Sequence, residues 1–380
     1  MEKDLKILVV DDTVTYRQIL SKIVSNFKNA ELIGTAPNGK IALSKIGLKQ
    51  PDLVLIDVFM PEMDGLETLA RIKKQYPHID VIMLTGADKE HANLTMKALG
   101  AGALDFILKP RGESVDDNIA ELQGELSRLV LMARTRKYSR QARSVSGTAP
   151  VTKTPPLPLK KTEVKKTEVP EKKTAVKQRI YKGRPDRIDI VAIGVSTGGP
   201  NALQEIIPGL DREFPIPLVV VQHMPAMFTA SLAARLDTVS SIKVVEGKDG
   251  DRLEKGVMYI APGGLHMIVR RDRLSNKILA LSDSPPVNSC RPSVDVLFQS
   301  VAKAYGGNVL TAILTGMGND GVSGVAEICR KGGYSIVQDE KTSVIWGMPG
   351  AVADAGEANE IVSLDRMAQR IMAIVKRGQI

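Results

Sequence analysis

Several residue types are scarce in this chain, and each scarcity excludes a class of protein. Only two of the 380 residues are cysteine, Cys290 and Cys329, which excludes the disulfide framework of small secreted domains. No apolar run approaches the roughly 18 residues that a membrane-spanning helix needs. The first apolar stretch, Ile7 to Val10, is too short for the core of a signal peptide. We therefore expect a cytoplasmic protein without direct membrane insertion.

Aromatic residues are also scarce, at 4% of the chain. Side chains that could stack on nucleic-acid bases are therefore few, and no helix-turn-helix pattern is present. The net charge of +9 comes mostly from residues 151–185, which hold nine Lys and two Arg against three Glu. We expect no nucleic-acid partner, although a non-enzymatic regulator whose basic segment binds nucleic acid is one alternative.

The same basic segment is low in complexity. The sequence KKTEV occurs at Lys160–Val164 and again at Lys165–Val169, and prolines interrupt the segment. Low hydrophobicity, like charge and proline leave such a segment unable to bury a core. We predict a linker over residues 139–185, between a domain at 1–138 and a second domain at 186–380.

The first domain alternates short apolar strands with helical patterns. This alternation predicts a flavodoxin-like, doubly wound parallel sheet, which binds ligands beyond the carboxyl ends of its strands. Polar residues follow the strands at that edge: Asp11, Asp12, Asp57, Thr85 and Lys109. Several carboxylates in one crevice repel each other and need a cation, and hard oxygen ligands suit Mg²⁺. Such an ion can bridge a carboxylate nucleophile and an incoming phosphoryl group.

On these residues, the first domain resembles a response-regulator receiver domain over its whole length. The resemblance implies that a partner histidine kinase phosphorylates Asp57. It also implies that Mg²⁺ is held by Asp12, Asp57 and the backbone carbonyl of Phe59, with Asp11 nearby.

The same resemblance implies three switch residues. Thr85 and Phe106 match the pair that rearranges on phosphorylation in that family, and Lys109 with the Thr85 hydroxyl steadies the added charge. Spacing alone favours an ordinary core position for Phe106.

The second domain shows another mainly parallel, doubly wound α/β pattern, with a hairpin expected around Met258–Leu281. Ser196 lies in a G-x-S-x-G turn that follows an apolar strand. His223 and Asp320 also follow apolar runs, so all three side chains can meet at one edge of the sheet. That constellation predicts nucleophilic acyl transfer. The chain order Ser, His, Asp does not support the usual α/β-hydrolase fold, whose order is Ser, Asp or Glu, His.

The alternatives at this site are few. His266 is the only rival base in the second domain, which contains two of the four histidines in the chain. Cys290 and Cys329 are far apart in sequence and have few histidines near them, so we expect no zinc site.

The second domain resembles the catalytic domain of the chemotaxis protein-glutamate methylesterases, the CheB family. The matching motifs are Gly194–Pro200, Gln222–Met224, Ala261–Gly264, Arg291–Asp295, Thr315–Gly321 and Trp346–Pro349. The resemblance places Ser196, His223 and Asp320 on the triad of that family and the backbone N–H of Met317 on its oxyanion donor. Cys290 stands where many members have histidine.

This resemblance implies a substrate and a means of control. The substrate is the methyl-esterified glutamate of chemoreceptor cytoplasmic domains, hydrolysed with release of methanol, and some members also deamidate glutamine. The phosphodonor is the histidine kinase of the chemotaxis system, and the unphosphorylated receiver covers the esterase cleft. Mg²⁺ belongs to the receiver, and no cofactor is expected at the esterase site. The alternative is a receiver-controlled esterase that acts on a non-chemotaxis substrate.

Overall fold

A computed structural model of the chain describes residues 5–110, 112, 114–145 and 185–377. These residues form two parallel-sheet α/β domains that pack against each other. Of the linker predicted at 139–185, residues 146–184 lie outside the described residues.

The N-terminal domain is built on five parallel strands in the order β2-β1-β3-β4-β5. The strands are β1 (Leu5–Val10), β2 (Ala30–Ala36), β3 (Leu53–Asp57), β4 (Asp80–Thr85) and β5 (Asp105–Leu108). The helices are α1 (Val14–Ser25), α2 (Gly39–Lys49), α3 (Gly65–Gln75), α4 (Lys89–Gly100) and α5 (Val115–Val145). This strand order confirms the predicted flavodoxin-like, doubly wound sheet.

Helix α5 continues to Val145, beyond the predicted end of the first domain at residue 138. Two ion pairs explain the extension, because they hold its C-terminal part against the N-terminal ends of β3 and β4. Lys137 Nζ lies 2.7 Å from Asp52 Oδ2, and Arg140 Nη2 lies 2.8 Å from Asp80 Oδ1. The helix therefore includes the first residues of the predicted linker.

The C-terminal domain is built on seven parallel strands in the order β14-β13-β12-β6-β7-β9-β8. The strands are β6 (Ile190–Val195), β7 (Leu218–Gln222), β8 (Lys243–Glu246), β9 (Val257–Ile260), β12 (Val309–Ile313), β13 (Tyr334–Gln338) and β14 (Glu360–Val362). A separate antiparallel pair consists of β10 (His266–Arg271) and β11 (Lys277–Ser282). The helices are α6 (Gly199–Ile206), α7 (Phe228–Val239), α8 (Val294–Tyr305), α9 (Val322–Arg330), α10 (Met348–Asp354) and α11 (Leu364–Arg377), with a 3-10 turn at Ile207–Gly209.

The hairpin predicted around Met258–Leu281 is shorter in the structure. Met258 belongs to β9 in the main sheet, where it pairs with Leu218. The antiparallel ladder begins at His266, opposite Ser282. The turn Pro262–Leu265 separates these two strands, because it carries the chain out of the plane of the main sheet.

The centre of the second sheet gathers the predicted site. Strand β6 lies between β7 and β12, and every residue of these three strands is buried. Val195 is in register with Gln222, and Gly194 with Ile313. Residues that follow these parallel strands therefore share one edge of the sheet, which is where open α/β sheets bind ligands.

The two domains meet beside that edge. Helix α4 of the first domain packs against α6 and α7 of the second. Apolar residues from both sides form one continuous cluster, which includes Met96 and Phe106 on the first domain and Phe228 and Leu232 on the second. The first domain therefore lies beside the carboxyl ends of β6 and β7.

Candidate active site and receiver site

The predicted nucleophile Ser196 lies in a tight turn between β6 and α6. Gly198 has a φ of 77°, and a Cβ there would lie 2.6 Å from Val344, so no other residue fits this position without movement. Gly316 allows a second close approach, because a Cβ there would lie 2.8 Å from the Cβ of Ser196. Two glycines thus allow the Val344 and Gly316 segments to close around the serine.

Hydrogen bonds hold the Ser196 backbone. Its N–H donates to the Thr315 carbonyl at 3.0 Å, and its carbonyl accepts from Gln222 Nε2 at 2.9 Å. Thr315 Oγ1 donates to the carbonyl of Thr197 at 3.0 Å. The Ser196 side chain is 7% exposed, and its hydroxyl makes no hydrogen bond within the part of the chain that the structure describes. The backbone is fixed while the hydroxyl stays available.

His223 directly follows β7 and contacts Asp320. Its Nε2 lies 2.8 Å from Asp320 Oδ2. A carboxylate accepts hydrogen bonds, so this contact places a proton on Nε2, and in the neutral form of the ring the lone pair lies on Nδ1. Nδ1 lies 3.6 Å from Cys290 Sγ and shares a hydrogen bond with it. The second nitrogen of His223 therefore contacts the thiol of Cys290.

His266, the rival base, is placed differently. It is 1% exposed, its Nε2 lies 3.1 Å from the Pro285 carbonyl, and its Nδ1 accepts from the Ser293 N–H at 3.2 Å. Both ring nitrogens are occupied by backbone groups, so the ring has no nitrogen free to take a proton from a serine.

Asp320 is buried at the N-terminus of α8 and accepts hydrogen bonds on both oxygens. The donors to Oδ1 are Asn288 Nδ2 at 2.8 Å, Ser293 Oγ at 2.9 Å and the Asp295 N–H at 3.2 Å. The donors to Oδ2 are the Val294 N–H at 2.7 Å and His223 Nε2 at 2.8 Å. A helix N-terminus favours negative charge, so Asp320 is stabilised as a carboxylate.

The pKa values of the pair follow from these contacts. Burial opposes the charge of Asp320, but its hydrogen bond to His223, the charge of that ring and donation from Asn288 outweigh burial and lower the pKa of Asp320 to about 2. Burial also lowers the pKa of His223, but the contacts with Asp320 and Cys290 outweigh it and raise the pKa to about 9. The pair is therefore held as carboxylate and imidazolium at neutral pH.

Met317, the predicted oxyanion donor, follows the Gly316 turn. Its side chain is 38% exposed, and its backbone N–H donates to no acceptor among the residues described here. It lines a cleft of about 600 Å³ together with Ser196, His223 and Cys290. An unused backbone donor in a cleft beside a serine can hold an oxyanion.

The first domain supplies the opposite wall of this cleft. Arg128 on α5 donates a hydrogen bond to Oγ1 of Thr197, the residue that follows Ser196. Asp105, at the start of β5, also lines the cleft. Burial raises the pKa of Asp105, although the charge of Arg128 and a hydrogen bond with Thr197 lower it. The cleft is therefore bounded by both domains.

Sequence reasoning missed several residues that hold the site. Ser293 had a recognisable signal, since a serine before a helical pattern is a favoured N-cap, and its hydroxyl caps α8 while binding Asp320. Asn288, Gln222 and Arg128 had no such signal. Each reaches its partner across a long sequence separation that no local pattern encodes.

The receiver site brings together the acidic residues that follow β1 and β3. One oxygen each of Asp11, Asp12 and Asp57 lies within 4.8 Å of the others. Lys109 Nζ lies 2.7 Å from Asp11 and 2.6 Å from Asp57. Burial raises the pKa of Asp57 against the opposing charge of Lys109, and the charges of Asp11 and Asp12 raise it further. Three crowded carboxylates fit a hard divalent cation such as Mg²⁺.

Two of the three predicted switch residues, Thr85 and Phe106, are buried. Thr85 Oγ1 accepts a hydrogen bond from Thr95 Oγ1 on α4 at 2.9 Å. The Phe106 ring stacks on the Phe228 ring, with centroids 4.7 Å apart. Thr85 is thus tied to α4, which packs against the second domain, and Phe106 contacts α7 of the second domain directly.

Comparison with known proteins identifies both domains. Residues 191–371 match the CheB methylesterase family, and residues 7–118 match the response regulator receiver domain. The catalytic domain of Thermotoga maritima CheB methylesterase is 40% identical, with a TM-score of 0.48, and the match covers 50% of this chain and 99% of that domain. No helix among the described residues is long and apolar enough to cross a membrane.

Two relatives match over nearly the full length, and both are named protein-glutamate methylesterase/protein-glutamine glutaminase. The protein from Desulfotalea psychrophila is 41% identical over 377 residues, which is 98% of this chain and 99% of the relative. The protein from Trichodesmium erythraeum is 42% identical over 372 residues, which is 97% of this chain and 98% of the relative. The chain therefore belongs to the CheB family of protein-glutamate methylesterases/protein-glutamine glutaminases, with an N-terminal receiver domain.

Proposed function

We propose that this protein hydrolyses glutamate methyl esters on the cytoplasmic domains of chemoreceptors and releases methanol, and that it deamidates glutamines by the same acyl chemistry. The observation that carries the proposal is that Ser196 and His223 line one cleft while His223 contacts Asp320. The chain is also 41% identical to a relative named protein-glutamate methylesterase/protein-glutamine glutaminase. The protein would act in the cytoplasm, where those receptor domains lie.

Each residue has a defined part in the proposed reaction. Ser196 Oγ attacks the ester carbonyl carbon as His223 Nδ1 accepts the hydroxyl proton. Asp320 holds the proton on Nε2 and stabilises the imidazolium that forms. The Met317 N–H binds the oxyanion of the tetrahedral intermediate. The imidazolium then protonates the departing methoxide. Methanol is released, and Ser196 remains acylated.

The second half of the reaction uses the same groups. His223 takes a proton from water, the resulting nucleophile attacks the acyl carbon, and the glutamate carboxylate leaves as Ser196 recovers its proton. With a glutamine substrate, ammonia leaves in place of methanol, and the acyl-serine is identical.

We also propose that the receiver controls access to the cleft. Asp57 would accept a phosphoryl group from the histidine kinase of the chemotaxis system. Asp11, Asp12, Asp57 and the Phe59 carbonyl would hold Mg²⁺, which supplies charge neutralisation for the incoming group. Lys109 would pair with the added charge. Two contacts between the domains support a cleft that the receiver covers in the absence of phosphate. They join Phe106 to Phe228 and Arg128 to Thr197.

The test uses full-length protein and receptor fragments with labelled methyl esters, and it measures volatile methanol. We expect slow release without a phosphodonor and a severalfold increase with acetyl phosphate and Mg²⁺. Asp57→Asn should remove the increase and the protein-bound phosphate while keeping the slow rate. Phosphate that remains bound to Asp57→Asn would contradict the assignment of the phosphoacceptor. Hydrolysis of small esters without methanol release from receptors would favour a non-chemotaxis substrate.

A further inference from the structure

The fold brings a thiol to the second ring nitrogen of His223, although the two residues are far apart in sequence. Cys290 Sγ lies 3.6 Å from His223 Nδ1, and the two atoms share a hydrogen bond. A zinc ion binds sulfur at about 2.3 Å and imidazole nitrogen at about 2.0–2.1 Å, so a tetrahedral angle places these two atoms about 3.6 Å apart. A metal ion can therefore replace the shared proton with little movement of either side chain.

The surroundings of the imidazole also match a metal ligand. A metal-binding histidine usually donates its other N–H to a carboxylate, which fixes the ring and makes the bound nitrogen more basic. Asp320 provides this contact, with Oδ2 at 2.8 Å from Nε2. Asp320 is itself held by other donors, so the ring is already oriented before any ion arrives.

Cys290 is held in place by its own turn. Its N–H donates to the Val287 carbonyl at 2.9 Å, and its carbonyl accepts from the Val287 N–H at 3.1 Å. Asn288 and Ser289, between them, both have positive φ, at 52° and 61°. This small turn fixes the position of the thiol relative to His223, which favours a preformed pair of ligands.

An ion can reach this pair through the cleft. Ser196, His223 and Cys290 all line it, so water and the serine hydroxyl are available to complete four ligands. The facing wall on the receiver carries three carboxylates, Asp105, Glu121 and Glu125, and one guanidinium, Arg128, while Arg291 lies on the catalytic side. The balance of charge around the cleft does not repel a cation.

The sequence predicted no zinc site because Cys290 and Cys329 are far apart and have few histidines near them in sequence, but the fold pairs Cys290 with His223. We propose that Cys290 and His223 form an inhibitory site that binds Zn²⁺. Binding releases the thiol proton of Cys290 and, when the ring is an imidazolium, the Nδ1 proton of His223 to solvent, and it forms one sulfur–metal and one nitrogen–metal bond. The metal then occupies the lone pair that must accept the Ser196 proton, so hydrolysis stops until the ion leaves. The effect on hydrolysis rests on the proposed role of His223 as the base, whereas binding itself does not.

The first experiment measures binding, independently of activity. Full-length protein is titrated with Cd²⁺, and the thiolate-to-metal charge-transfer absorption is recorded. We expect a band that saturates at one equivalent and is absent in Cys290→Ala. Cys329→Ala is the matched control, because burial raises the pKa of the Cys329 thiol to about 12 and makes it a poor ligand. The receiver carboxylates contribute no such band, because they contain no sulfur.

The second experiment measures methanol release against buffered free Zn²⁺, each variant being compared with its own zinc-free rate. With only two protein ligands, we expect half-inhibition on the order of micromolar Zn²⁺. The Zn²⁺ concentration for half-inhibition should rise at least about 10-fold in Cys290→Ala and Cys290→Ser, because each loses a ligand. It should be unchanged in Cys329→Ala, and a chelator should restore the rate.

Two results would overturn the proposal. One is the absence of a charge-transfer band in the unmodified protein. The other is zinc inhibition of equal strength in Cys290→Ala. Cd²⁺ binding at Cys290 without any loss of hydrolysis would instead keep the site and contradict the role of His223 in the proposed reaction.

Discussion

The ring of Phe106 stacks on the ring of Phe228 with an interplanar angle of 10°. Phe106 belongs to β5 of the receiver and Phe228 begins α7 of the esterase domain, so this contact joins the predicted switch to the domain that it would control. Arg128 makes a second contact a short way along the same interface, at Thr197. A change in the receiver that moves Phe106 would therefore act on the segment beside Ser196.

Arg128→Ala should raise the activity of the unphosphorylated protein. The variant loses a hydrogen bond between a charged group and Thr197, and partial exposure of Arg128 reduces its contribution to about 1 kcal/mol. A loss of that size favours the open state about fivefold. Methanol release should increase severalfold without phosphodonor, while the phosphorylated rate stays the same.

Arg71→Ala is the control for this prediction, because Arg71 is an exposed receiver arginine that pairs with Glu67 on its own helix. It should leave both rates unchanged. If Arg128→Ala leaves the rate of the unphosphorylated protein unchanged, control by docking is contradicted. Recruitment to the receptor would then have to provide the regulation.

Ser196→Ala should fold normally and lose roughly 10⁴–10⁶-fold in kcat/KM, as removal of a triad nucleophile does. His223→Ala should lose about as much, and the double variant little more, because the residues act as a unit. Circular dichroism with methanol release measures both properties. His266→Ala tests the rival base: a greater loss there than in His223→Ala would reverse the assignment.

The pH dependence follows from the raised pKa of His223, about 9. Below that pH the free enzyme holds an imidazolium, which cannot accept the Ser196 proton. We expect kcat/KM to rise about tenfold per pH unit and to level off near pH 9. The same shift stabilises the folded state fully below the ordinary pKa of about 6.5, and that contribution is lost as the pH rises through about 9.

Asp320→Ala provides the control, because removal of the carboxylate leaves Cys290 alone to oppose the effect of burial on the pKa of His223. The rise in kcat/KM should move to lower pH, even though its plateau falls. A wild-type profile that levels off near pH 6.5 would contradict the influence of Asp320 and Cys290 on this ring.

Local sequence patterns were sufficient for the elements that carry the site. Continuous apolar runs predicted β6, β7 and β12, and parallel strands place the residues that follow them at one edge. Helix α10 and strand β14 were not predicted. Strand β14 spans only three residues and has one exposed apolar side chain, Ile361. Neither has the periodicity that marks a longer element.

Contacts between distant segments could not be predicted in the same way. The position of Cys290 depends on a turn with positive φ at two residues that are not glycine, and only the folded domain brings that turn to His223. The interface at Arg128 depends on how two separately patterned domains pack. The proposed roles of Ser196, His223 and Asp320 remain predictions that the kinetic experiments test.

The hydrogen-bonding of Asp320 limits which substitutions this position can tolerate over evolution. Its two oxygens accept from five donors, including the Val294 N–H and His223 Nε2 on one oxygen. Asparagine has the same shape but only one oxygen, so its NH₂ group would face two or more donors with nothing to accept. The closest replacement in size is therefore one of the poorest in chemistry.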